Sequence, residues 1–172
     1  MKSLFLLRHA KSPWGESGAA DFDRPLNERG ETAATRMGRE MRRLGLAFDT
    51  VVASPARRVV ETIASAEQGY DGRLSPLFEP RIYAASAETL LDLIRATPAK
   101  VRSLLLVGHN PGIEQLASML TEANIAPLRE SLALRFPTAG LAEIALPIET
   151  WTEAGDGGGT LRRFLRPRDI DP

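Results

Sequence analysis

Two short apolar runs constrain the fold most: residues 4–7 (Leu-Phe-Leu-Leu) and 104–107 (Leu-Leu-Leu-Val), each followed two residues later by a histidine. Runs this short, with no polar face, cannot make a helix and read as strands buried on both sides. Such strands need helices above and below them, and the intervening segments supply these. Met37, Met41 and Leu44 recur at i, i+4 and i+7, which predicts a helix from Asn27 to about Leu44, with Gly45 at its stop. Thr50, Val51 and Val52 are β-branched and predict a strand over 50–53. Ser54-Pro55 then starts a helix to about Gln68, with Ser as cap and Pro as first helical residue. Ser86 caps a helix through Arg95, and another runs from Gly112 to about Glu122. Strands at 141–146 and 160–165 flank a Gly-rich linker, while the Gly-, Pro- and Ser-bearing stretches 10–25 and 75–80 read as loops. This alternation predicts an α/β fold: a three-layer αβα sandwich around a mostly parallel central sheet, in a single domain spanning 1–172.

Charge and cysteine content narrow the function. The chain has 22 basic and 22 acidic residues, so no net field draws it to nucleic acid or an anionic membrane. It has no cysteine, which excludes disulfides, thiolate metal sites and cysteine-based phosphatase chemistry. The apolar run before Arg8 is too short for a signal peptide and no other run approaches a membrane span, so a cytoplasmic location is expected.

The chain has only two histidines, His9 and His109, and both fall just past the end of a predicted buried strand. That is the edge where an open α/β sheet binds its ligands. The alternative, two partly exposed loop histidines, requires both to land there by chance. Two histidines without His-x-x-x-His spacing make a thin ligand set, so no metal is expected. Arg8 sits beside His9 and is costly to bury unless it faces an anion. Arg57 and Arg58 follow a strand end at a helix start, where the arginine fork and backbone N–H groups both suit phosphate oxygens. Arg57 reads as a residue of the solvated helix face. Arg58 lies one turn before Thr62, and the pair can share a face toward the strand ends. Arg8, His9, Arg58 and His109 together would offset the charge of a phosphoryl transition state, with one histidine as nucleophile.

The ordered set Arg8-His9-Ala10, Leu26-Asn27-Glu28-Arg29-Gly30, Ser54-Pro55-Ala56-Arg57-Arg58 with Thr62, and Gly108-His109-Asn110-Pro111-Gly112 resembles the histidine phosphatase superfamily, the phosphoglycerate mutase-like group, over about residues 3–146. The resemblance implies a phosphoglycerate mutase-like fold with His9 as nucleophile. It makes Arg8 and Arg58 the phosphate-binding arginines and His109 the second pocket histidine, with Ser12 and Asn110 as further substrate contacts. Ala10 replaces the glycine of the Arg-His-Gly hallmark. Ser12 and Trp14 match the mutase pattern, but Gly15 stands where those enzymes carry Asn, which removes one phosphate contact. The family's general acid falls near residues 77–84, where Glu79 is the one carboxylate; the alternative for Glu79 is a solvated loop residue. The span from Thr62 to Gly108 has no room for the cap insertion of phytases and acid phosphatases, so the chain is most similar to the short phosphohistidine phosphatase branch. The resemblance thus implies a metal- and cofactor-free phosphohydrolase acting on a phosphorylated protein, through a phosphohistidine enzyme intermediate. The alternatives are a phosphatase of small phosphomonoesters and, from another class, a non-catalytic phosphate- or phosphoprotein-binding module.

Overall fold

A computed structural model describes residues 1–15, 18–121 and 135–172. The strands are β1 (Lys2–Arg8), β2 (Thr50–Ala53), β3 (Leu77–Phe78), β4 (Ser103–Gly108), β5 (Leu141–Leu146) and β6 (Thr160–Leu165). The helices are α1 (Glu28–Arg43), α2 (Arg57–Tyr70), α3 (Ala87–Arg95) and α4 (Gly112–Leu120). The strands form one sheet in the order β3-β2-β4-β1-β5-β6. β3, β2, β4 and β1 run parallel, β5 is antiparallel to β1, and β6 is antiparallel to β5. Only β5 therefore runs against the rest, and the sheet is mostly parallel, as the alternating pattern predicts.

The apolar runs are continuous because each residue faces a different helical layer. Leu4, Leu6, Leu104 and Leu106 pack with Leu90, Ile94, Leu116 and Leu120 of α3 and α4. Their neighbours Phe5, Leu7, Leu105 and Val107 pack on the other face with Met37 and Met41 of α1 and with Val59 and Ile63 of α2. α1 and α2 cross at Gly38, where an added Cβ would sit 1.9 Å from the Ala66 carbonyl oxygen, so only glycine permits the approach. Helix starts are capped where the sequence predicts: the Asn27 side chain accepts from the Gly30 amide at 2.9 Å, and Ser86 from the Thr89 amide at 3.2 Å. Gly45 takes a left-handed φ of 67° just past α1.

Three local expectations change. α2 starts at Arg57 with Ala56 as its cap, so Ser54 does not cap it, and its hydroxyl accepts from the Ala56 amide at 3.3 Å. The loop expected at 75–80 contains β3, whose two residues are both exposed and carry no burial signature. α4 ends at Leu120, and the rest of its expected length, at Glu122, lies outside the described residues.

Candidate active site

The register of β1 against β4 pairs Leu7 with Val107 and Arg8 with Gly108. The two histidines therefore leave the sheet side by side, and the His9 amide donates to the Gly108 carbonyl at 3.0 Å. Their ring centroids lie 5.3 Å apart, across the floor of a cleft of about 750 Å³ at the carboxyl edge of the parallel strands. Arg8, Arg58, Arg24 and Asp21 also line this cleft.

His9 is 7% exposed. Its Nδ1 lies 2.8 Å from the Ala10 carbonyl oxygen, which can only accept, so Nδ1 carries the proton and Nε2 keeps its lone pair. Burial holds the His9 pKa down at about 3, opposed by that hydrogen bond and aided by the positive field of His109, Arg58 and Arg8. The ring is neutral at physiological pH. The backbone behind it is pinned from α2: Thr62 Oγ1 accepts from the Ala10 amide at 2.9 Å and donates to the Arg58 carbonyl at 2.6 Å. From the other side, the Ala139 amide donates to the Arg8 and His9 carbonyls, each at 3.0 Å. At Gly30 a Cβ would lie 2.2 Å from the Lys11 carbonyl oxygen, so glycine lets the start of α1 close on the loop after His9.

His109 Nε2 lies 2.8 Å from Ser54 Oγ. Burial, and then the charge of Arg58, lower the His109 pKa to about 4. The Arg8 guanidinium donates to the Phe136 carbonyl at 2.9 Å. Arg58, 5% exposed, donates to the Asp21 backbone oxygen at 2.7 Å and to its carboxylate at 3.2 Å. Arg24 meets the same carboxylate at 3.2 Å, donates to the Ser12 carbonyl and stacks 4.1 Å over the Trp14 ring. Four buried donors or ring nitrogens have no hydrogen-bond partner among the described residues: Nε of Arg8, Arg24 and Arg58, and Nδ1 of His109. Three arginines around one cleft, with Asp21 the one carboxylate among its described lining residues, leave a positive field that fits an anion site.

The structure gathers Arg8, His9, Arg58 and His109, as their positions in the sequence predict. Arg57 instead lies on the exposed side of α2, paired with Glu61 at 2.8 Å. Ser12 and Asn110 line the cleft with their side chains engaged. Ser12 donates to the Pro25 carbonyl at 2.6 Å, and Asn110 donates to the Phe136 carbonyl at 3.1 Å while accepting from the Glu114 amide at 3.3 Å. Glu79 is not brought to the cleft. Its carboxylate closes on the Arg81 amide and guanidinium, both at 3.0 Å, and it is absent from the lining. This arrangement matches the solvated-residue alternative.

Asp21, Arg24 and Tyr83 are the residues sequence reasoning missed. They sit in segments without helical or strand periodicity, Asp21 opening the 3-10 turn Asp21–Asp23, and nothing in the residue pattern singles them out. Tyr83 donates its hydroxyl to Asp21 Oδ2 at 2.5 Å and stands edge-on to His109, with centroids 5.5 Å apart. That hydrogen bond, with the charges of Arg58 and Arg24, holds the Asp21 carboxyl below the usual carboxylate range, while the Tyr83 phenol is raised.

Known proteins resemble this chain in sequence and in fold. The model of the histidine phosphatase superfamily (branch 1) matches residues 4–83. An uncharacterised protein of Mycobacterium tuberculosis H37Rv is 34% identical over 164 residues, covering 94% of this chain and 100% of that protein. The crystal structure of the candidate phosphohistidine phosphatase SixA from Agrobacterium tumefaciens is 33% identical, with a TM-score of 0.77 over 96% of this chain and 98% of its own. The protein histidine phosphatase SixA complexed with tungstate has the same fold, with a TM-score of 0.77 at 21% identity over 97% of this chain and 98% of its own. With paired histidines and arginines at the sheet edge and similarity along nearly its whole length, the chain belongs to the histidine phosphatase superfamily and is a phosphatase.

Proposed function

We propose that this phosphatase removes the phosphoryl group from phosphohistidine on a protein, through a phospho-His9 intermediate. The observation that carries the substrate assignment is the state of Asp21. It is the one carboxylate among the described residues lining the cleft, and Arg58, Arg24 and Tyr83 hold it ionised at neutral pH. An alkyl phosphate leaves as an alkoxide and needs an acid to protonate it. Asp21 is ionised and the Tyr83 hydroxyl proton is engaged on its carboxylate, so neither is poised to donate to a leaving oxygen. Phosphohistidine needs no such donor, because its imidazole departs neutral once its other ring nitrogen carries a proton.

The reaction then runs in two displacements. His9 Nε2 attacks phosphorus, the bond from phosphorus to the substrate nitrogen breaks, and that nitrogen takes the electron pair. Water next attacks phospho-His9, the bond to Nε2 breaks, and dihydrogen phosphate leaves with both water protons. The Nδ1–Ala10 hydrogen bond keeps the attacking nitrogen unprotonated through the cycle. The contact between His109 Nε2 and the Ser54 hydroxyl fixes the second imidazole beside His9 at the phosphoryl site. Arg8 and Arg58 neutralise the remaining charge, which is where most of the barrier reduction in phosphoryl transfer arises. The reading takes residues 1–172 as one domain and places the protein in the cytoplasm; no helix among the described residues is long and apolar enough to cross a membrane.

Assaying a phosphohistidine protein beside a panel of phosphomonoesters tests this function. Phosphohistidine should turn over at least tenfold faster in kcat/KM than any alkyl ester. Efficient hydrolysis of sugar phosphates with phosphohistidine untouched would assign the protein to small esters instead. Binding of both without turnover would make it a phosphate-binding module.

A further inference from the structure

A second groove, of about 450 Å³, adjoins the active cleft, and Lys11 and Thr138 line both. Its other charged walls are Arg29 on the first turn of α1, Arg135, and Arg166 and Arg168 just after β6. Five cationic side chains therefore surround a small volume, and no carboxylate is among the lining residues described. Asp169 pairs with Arg166 at 2.6 Å and lies 3.8 Å from Arg168. Arg29 and Arg135 form no ion pair among the described residues, and both are exposed. In a chain whose charges sum to zero, this clustering is a local asymmetry that attracts anions.

We propose that this groove binds an acidic segment flanking the phosphohistidine of a substrate protein, so that specificity comes from Glu and Asp side chains beside the scissile group. The proposal rests on the phosphohistidine reading of the cleft. Lys11 and Thr138 line both hollows, so a chain with its phosphoryl group among Arg8, His9 and Arg58 has the groove directly beside it. Nucleic acid fits less well, since no aromatic side chain lines the groove for a base to stack on.

Phosphohistidine peptides with Glu-rich and Gln-rich flanks test this against the wild type and the R29A/R168A double variant, neither residue lining the active cleft. An exposed ion pair contributes up to about fivefold, so the Glu-flanked peptide should be favoured about tenfold in kcat/KM, expressed in KM. That preference should fall steeply in about 1 M NaCl, where the Debye length is about 3 Å and exposed charges farther apart than that are largely screened. The double variant should erase the preference while turning over free phosphohistidine as before. Equal losses on all substrates, or no preference in the wild type, would overturn the proposal. A second readout separates it from the phosphohistidine reading: anisotropy of a fluorescein-labelled, unphosphorylated Glu-rich peptide. If the variant weakens that binding while no phosphohistidine peptide is hydrolysed, the groove stands and the substrate assignment falls. Absence of binding, or tighter binding of a single-stranded oligonucleotide than of the acidic peptide, overturns the groove.

Discussion

Acidification from pH 7 to 5 should destabilise this protein through its two histidines alone. His9 falls from an ordinary 6.5 to about 3 in the folded state, and His109 to about 4. Both pKa values are depressed, so between 6.5 and about 4 the unfolded chain binds protons that the folded chain refuses. Their contribution to stability is therefore complete above 6.5 and is lost as the pH falls toward the folded values. Each histidine forfeits about 1.4 kcal/mol per pH unit once the pH is well below 6.5, or about 2 kcal/mol by pH 5, and the pair about 4 kcal/mol. The window is clean because the chain has no other histidine, and its carboxylates with lowered pKa values, Asp21, Glu40, Asp49, Glu79 and Glu153, cost stability only at lower pH. Urea unfolding at steps from pH 7.5 to 5 would measure the loss, in buffers free of phosphate and sulfate, which would bind the site. The H9N/H109N variant should remove most of the slope. A wild-type slope that persists undiminished in the variant, or a flat wild-type profile, would show that the imidazoles are not buried neutral.

Arg58→Ala should weaken phosphate or tungstate binding by a charge-assisted contact of about 1.5–3 kcal/mol, whereas Arg57→Ala, on the exposed side of α2, should change it less than about twofold; isothermal titration of the anion distinguishes them. Thr62→Val keeps the volume but leaves the buried Ala10 amide unpaired, so it should cost about 1–3 kcal/mol in urea unfolding and lower kcat. Glu79→Gln should alter hydrolysis of phosphohistidine and of an alkyl phosphate equally little in steady-state assays, because Glu79 is engaged by Arg81 outside the cleft. A selective loss on the alkyl ester would restore Glu79 as the acid.

The sequence was most legible where burial left a pattern. The bounds of β2, β5 and β6 coincide with those read from it, since each strand carries a burial pattern of its own. β3 was invisible because both of its residues face solvent, leaving no apolar pattern to read. The four basic site residues were legible because strand ends and a helix start fixed where they would go. Asp21 and Arg24 were not, because the course of a loop is set by tertiary contacts: here the arginine stacks on Trp14 and the aspartate bridges to Arg58 and Tyr83. Residue type alone selected Glu79 for its segment. Two positions on, however, Arg81 offers that carboxylate a local partner that no helical or strand periodicity reveals.

The central claim is that His9 carries the phosphoryl group covalently, and rapid acid-free quenching of the enzyme with a radiolabelled phosphohistidine peptide tests it most directly. Label should appear on the protein within the first turnover, map to the peptide containing His9, survive alkali and be lost in acid. His9→Ala should abolish both the label and hydrolysis. Hydrolysis that persists in the His9→Ala variant, with no label trapped on the wild type, would contradict the account.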